Sequence, residues 1–226
     1  MNAANARGRA PLRLYAYYRS STSYRLRIAL ALKRLDYETV AVNLPAGEQR
    51  GPDYLAKNPF GGVPLLEADG RGRAQSVAIM EWLEEAYPAH PLLPADAESR
   101  FTVRELTHAV ATDIHALNNL QTLRYLKDEF GVMQDQSDNW YRHWLAKTLM
   151  PVEARLAELA AGDFLFAAPG MFEAVLIPQL YNARRFDFDL SAMPHCTRIE
   201  AACLALPEFI AAHPDNQKDN PERTNI

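Results

Sequence analysis

The stretch RSSTSYRLRIAL, residues 19–30, sets four hydroxyl side chains in a row (Ser20, Ser21, Thr22, Ser23) behind Arg19. It contains no cysteine, histidine or carboxylate, and so no nucleophile or base of the usual kinds. Before a helix, one such hydroxyl has an ordinary use: it accepts a hydrogen bond from the free N–H groups of the first turn. For any one of the four, that is the default role. Capping needs only one hydroxyl, however. The same orphan N–H groups, with about half a positive charge from the helix dipole, also favour an anion. The stretch is therefore either a capped helix or a cradle for a negatively charged ligand that brings its own reactive atom.

Other candidates are weaker taken singly. Val63-Pro64 is an X-Pro bond, which on the residues alone is trans by default. Gln75-Ser76 precedes the apolar pattern VAIMEWLEE, and Ser76 reads as its N-cap. Gln49 lies in a polar loop and otherwise reads as solvated. His115 and Asn119, in DIHALNN, are four apart and share a face if the segment is helical, with Gln121 close by. A lone helical histidine is more often structural, and no second ligand stands at metal-binding spacing. The ordinary role of an arginine is a surface ion pair. Arg25 and Arg27 read that way, and Arg19, Arg184 and Arg185 share the same default. Trp82, Trp140 and Trp144 read as packing residues.

These residues must be positioned by the elements around them. LRLYAYY (residues 12–18) alternates and predicts a strand. From Ser23, apolar residues at Tyr24, Ile28, Leu32 and Leu35 predict a helix, and YETVAVNL (residues 37–44) a second strand. A helix between two strands implies parallel pairing. A loop with about one helical turn follows, then two short strands around a Gly- and Arg-rich turn, then a helix ended by Pro88. AHPLLPADAES reads as a linker over residues 89–99. Beyond it the pattern is helical at about 100–130, 137–161, 172–185 and 195–212, with no convincing strand. The expected organisation is a βαβ–ββα domain over residues 11–88 and an all-helical domain over 100–214. Residues 1–10 and 215–226 read as flexible tails.

Composition narrows the function classes. With 226 residues, 48% hydrophobic, 23% charged and a formal net charge of −4, the chain has no basic balance that would argue for nucleic acid. No apolar run approaches the roughly 20 residues of a membrane span. Cys196 and Cys203 are seven apart, a spacing that does not suit a disulfide on one helix, and a reducing cytoplasm is the simplest setting.

RSSTSYRLRIAL, NPFGGVPLL, QSVAIMEWLEEAYP and IPQLYNARRF, in that order, resemble the zeta class of glutathione transferases, nearest to its maleylacetoacetate and maleylpyruvate isomerases. The resemblance runs from Leu12 to about Gln217. It implies a thioredoxin-like α/β first domain that binds glutathione, an all-α second domain, a homodimer, and a small dianionic keto-acid substrate. On that resemblance Ser20 meets the glutathione sulfur, with Ser21 and Thr22 as neighbouring donors. Many family members carry Cys where this chain has Thr22. Val63 and a cis Pro64 offer main chain to the cysteinyl group. Gln75 and Ser76 hold the γ-glutamyl end, and Gln49 the other end. His115, Asn119 and Gln121 face glutathione. Arg19 and Arg185, with Arg184 as second choice, bind substrate carboxylates. Some maleylpyruvate isomerases have an Arg pair where this chain has Leu120 and Gln121, which leans toward the maleylacetoacetate branch. Gly170 and Glu173 stand where the fold usually begins a buried helix with Ser or Thr and an Asp.

Overall fold

In the computed structural model, which describes residues 11–223, strand β1 (Leu12–Ala16) has neighbours on both sides and is buried at four of its five positions. β2 (Tyr37–Ala41) pairs with it in parallel, Leu12 opposite Tyr37 and Ala16 opposite Ala41. β3 (Leu65–Ala68) and β4 (Arg71–Ala74) complete a mixed sheet of order β2-β1-β3-β4. The parallel β1–β2 pair requires a crossover, which helix α1 (Ser21–Leu32) supplies. After β2 come a tight turn at Glu48–Arg50 and the one-turn α2 (Pro52–Leu55), and helix α3 (Ser76–Ala86) follows β4. The expected βαβ–ββα order holds.

Burial of α1 departs from the sequence reading. Every residue from Ser21 to Leu30 is buried, Arg25 and Arg27 included, so neither arginine is a surface ion-pair residue. A buried guanidinium needs acceptors. Arg27 donates to the Tyr18 and Ala212 carbonyls, both at 2.8 Å, and lies over the Tyr24 ring. Arg25 donates to the Ser76 hydroxyl at 3.3 Å.

The cover over α1 comes from the far end of the chain. The structure divides into two units, one formed by residues up to Leu92 together with those from Leu204 onward, the other by Leu93–Cys203. Helix α10 (Pro207–Ala212) packs on α1 and belongs to the first unit, so the all-helical unit stops near residue 203 and not at 214. Nor are residues 215–223 a loose tail: Gln217 and Asn220 are buried, and Gln217 donates to the Ala211 and His213 carbonyls. Residues 1–10 and 224–226, the remaining expected tail segments, lie outside the described residues.

The expected linker is also anchored. Leu92 and Leu93 are buried, and Glu84 accepts both the Leu92 N–H and the buried Lys33 ammonium, at 2.8 and 2.9 Å.

The second unit is helical throughout its described secondary structure. α4 (Ala97–His108), capped by Asp96, runs through a π-helical turn at Ala109–Ile114 into the short α5 (His115–Asn118). α6 (Leu120–Phe130) and α7 (Gln134–Glu158) follow, then the buried α8 (Met171–Arg185) and α9 (Pro194–Leu204). One continuous helix was expected from about 100 to 130. Instead Asn119 takes an extended conformation (ψ 162°), and its side chain caps α6 by accepting the Thr122 N–H at 2.9 Å. Asn is a strong N-cap residue, and that preference outweighed the apolar periodicity. Gly170 makes no side-chain capping bond, but Glu173 reaches back to the Gly170 N–H and also accepts the Leu165 N–H, each at 2.8 Å, so half of the usual cap is kept. No helix among the described residues is long and apolar enough to cross a membrane.

Candidate functional site

Ser20 is the N-cap of α1, and its hydroxyl oxygen accepts the Ser23 N–H at 3.3 Å. Thr22 donates its one hydroxyl proton to the Val63 carbonyl at 2.8 Å. In the 2.9 Å contact between Ser20 and Thr22, the Ser20 hydroxyl must therefore be the donor. The proton of Ser20 rests on a neutral oxygen at the first turn of α1 and can turn to a stronger acceptor. Ser21, the first residue of the helix, is buried beside it. The capping reading of the hydroxyl run is realised, and the capping residue also heads a short hydrogen-bonded chain.

That chain ends at the loop entering β3. The Val63-Pro64 bond is cis, as the resemblance implied. The Val63 N–H has no partner among the described residues, leaving a main-chain donor available near Thr22. Tyr54 and Asn58 hold the preceding carbonyl, Gly62 O, at 2.6 and 2.7 Å. Burial pushes the Tyr54 phenol up to about 12, so it stays a donor. Gly61, at φ +60°, comes so near the Gln49 carbonyl that a Cβ there would lie 3.4 Å from it. The Gln49 side chain is buried, and its Oε1 has no hydrogen-bond partner. Apart from the resemblance, a lone loop glutamine reads as solvated. This one is an orphaned buried acceptor, the kind of group a ligand satisfies.

At α3 the assignments shift by one residue. Gln75, not Ser76, is the N-cap, and it makes no side-chain capping bond. Gln75 has φ +70° and ψ 106°, a region that L-residues rarely occupy, and its side chain is exposed. Ser76 is buried, and its oxygen accepts from Arg25. With that lone pair engaged, the Ser76 O–H is free to donate toward an anion at the helix N-terminus. Arg25 is a supporting residue that sequence reasoning missed, since nothing near it in the chain points to Ser76. Arg19, at the other side of Ser20, is exposed and makes no ion pair among the described residues.

In the second unit, His115 is half-buried, Gln121 is exposed, and Asn119 is engaged in its cap. Asn119 ends α5 as its C-cap, with its side-chain amide donating to the Ala116 carbonyl at 2.9 Å, four residues after His115. Arg184 is paired with Glu200. Arg185 donates to the Asn182 side chain at 3.1 Å. A groove of about 670 Å³ lies along α7 and the π-helical turn, and none of the candidate residues lines it.

The first unit thus brings together the start of α1, the Val63 main chain, Gln49 and the start of α3. Its donors and its orphaned acceptor suit a peptide-like ligand carrying a carboxylate and a polarisable anion, and the residues present fit glutathione.

Residues 19–86 match the family model "Glutathione S-transferase, N-terminal domain". The maleylacetoacetate isomerase of Pseudomonas aeruginosa is 44% identical over 93% of this chain and 99% of its own. Among solved structures, a maleylpyruvate isomerase described as a bacterial zeta-class glutathione S-transferase superposes with a TM-score of 0.89 at 41% identity, covering 92% of this chain and 99% of that one. The maleylacetoacetate isomerase of Anaeromyxobacter dehalogenans, with glutathione in its active site, gives 0.84 at 43% identity, covering 93% of this chain and 98% of that one. Similarity at this level along more than nine-tenths of the chain settles the membership that the motifs suggested: the chain belongs to the zeta class of the glutathione S-transferase family.

Proposed function

We propose that this protein is a glutathione-dependent cis–trans isomerase that converts maleylacetoacetate to fumarylacetoacetate. The observation that supports this most is the Ser20–Thr22–Val63 chain at the start of α1, where a hydroxyl proton is held ready for an anion. Glutathione, when bound, supplies a thiolate whose reversible addition to the substrate's double bond permits rotation. The chain's own residues do the rest. Ser20 turns its proton from Thr22 to the sulfur, and the α1 N-terminus favours the negative charge there. The Val63 main chain takes the cysteinyl peptide as a short strand-like pair. Ser76 and the α3 N-terminus take the γ-glutamyl carboxylate, with Gln75, while Gln49 receives the far end of the tripeptide. Arg19 grips a substrate carboxylate, a task for which the guanidinium's paired donors are suited.

For the second unit, Arg185 as a carboxylate ligand and His115, Asn119 and Gln121 as glutathione contacts rest on the resemblance. Arg184 is committed to Glu200, which leaves the carboxylate role to its neighbour. The homodimer and a cytoplasmic location belong to the same proposal. The two free, buried cysteines, whose thiols burial pushes well up, suit a reducing compartment.

Maleylpyruvate is a second candidate substrate, favoured by the likeness to the maleylpyruvate isomerase structure. Turnover of both keto-acids, with and without glutathione, tests the proposal. Glutathione-dependent isomerisation of maleylacetoacetate supports it, and faster turnover of maleylpyruvate favours the second reading. Activity on α-halo acids alone would indicate a dehalogenase. Glutathione binding without any turnover would indicate a binding module.

A further inference from the structure

The loop that carries Arg19 and Ser20 is anchored by the other end of the chain. Between β1 and α1 the main chain is held at two residues. The Tyr17 N–H donates to the Ser23 hydroxyl at 3.3 Å, and its carbonyl accepts the Ser20 N–H at 3.1 Å. Tyr18 is the one tied to the C-terminal segment. Its N–H donates to the Asp219 carboxylate at 2.8 Å, and its carbonyl accepts from Arg27 at 2.8 Å. Arg27, 1% exposed, donates its Nε to the Ala212 carbonyl, the last residue of α10. The segment beyond α10 is built to present Asp219. His213 sets its ring edge-on to the buried Tyr24, Gln217 ties back to the Ala211 and His213 carbonyls, and the Asn220 N–H donates to the Gln217 carbonyl. A main-chain N–H bonded to a carboxylate is stronger than a neutral pair. It sits two residues before Ser20 and one before Arg19.

We propose that Asp219 is a positioning residue for the isomerisation: by fixing Tyr18, the C-terminal segment sets where the Ser20 hydroxyl and the Arg19 guanidinium point. The inference rests on the functional reading above. It assigns to residues 213–223 a part in assembling the thiolate site, with Asp219 acting through the Tyr18 main chain.

The test compares Asp219→Ala with Asp219→Asn in the full chain, using the ultraviolet thiolate absorbance of bound glutathione at neutral pH together with kcat and KM. Loss of a charge-assisted hydrogen bond at the loop should lower kcat about tenfold in Asp219→Ala and reduce the thiolate signal. KM for glutathione should change less, because the start of α3 is untouched. Asparagine keeps an acceptor for the Tyr18 N–H and should restore most of both readouts. A lower melting temperature in Asp219→Ala, with kcat and the thiolate signal intact, would overturn the inference. So would failure of asparagine to rescue. Ser20→Ala, run in parallel, separates the two levels. Loss of the signal there, but not in Asp219→Ala, sinks the positioning role alone. No thiolate signal even in the parent protein sinks the functional reading itself.

Discussion

Thr22 and Val63, 41 residues apart in sequence, are joined by a 2.8 Å hydrogen bond from hydroxyl to carbonyl. That single bond fixes the direction of the next one, because a threonine hydroxyl has only one proton to give. The Ser20 proton therefore points at Thr22 until a better acceptor arrives. Thr22→Val removes both the donor to Val63 and the acceptor for Ser20. Stability should fall by about 1–2 kcal/mol, and kcat should fall with it. Thr22→Ser, which keeps the hydroxyl, should hold near-parental values in denaturant melts and turnover assays.

Ser20 serves as both cap and thiolate donor, and two substitutions can separate these roles. Ser20→Ala loses the cap and should cost about 0.5–2 kcal/mol, whereas Ser20→Gly should cost only a few tenths. Both lose the hydroxyl proton, so both should lower kcat by roughly tenfold to a hundredfold. Equal activity loss with unequal stability loss is the expected pattern. Activity that tracks stability would show that the hydroxyl acts only as a cap.

Gln75 stores backbone strain at φ +70°, a cost of order 1–3 kcal/mol for a non-glycine residue held in a sparsely populated region. Gln75→Gly relieves it without removing a capping bond, since the side chain makes none. Thermal melts should show no loss of stability, and calorimetric titration should show weaker glutathione binding. A variant that melts markedly lower would mean the conformation is not strained.

Glu153 accepts the His195 and Cys196 main-chain N–H groups, and its carboxyl is held below the usual range. Burial alone would raise its pKa, but those two N–H groups, at 2.8 and 2.9 Å, together with the His195 ring, pull it below the usual carboxylate range. A carboxylate depressed in the folded state contributes stability above its unfolded pKa and loses it as pH falls through the folded value. Denaturant melts between about pH 3 and pH 7 should show the parent losing stability below about 4.5 more steeply than Glu153→Gln. Parallel curves would remove Glu153 from that account.

Much of this molecule is legible from short-range pattern. The alternation in Leu12–Ala16, the Asp69–Gly70 turn before β4 and the apolar spacing of α3 each depend on a few neighbouring residues. These gave the element order, and the motif order gave the family. Where local signals competed, the reading slipped. Asn119 looked like one more helical residue until its capping preference ended the helix. Ser76 looked like a cap although the helix begins one residue earlier.

What the sequence by itself determined is the set of elements and the hydroxyl run at the start of α1, because strand alternation, helix period and capping chemistry act over a turn or two of chain. Only the tertiary structure decided that Arg25 and Arg27 are buried, that the Gln49 acceptor is orphaned, and that Asp219 holds Tyr18. The physical reason is range. A residue's local spacing is the same whether its outward face meets water or α10, and only the contact between those distant surfaces determines what its side chain does.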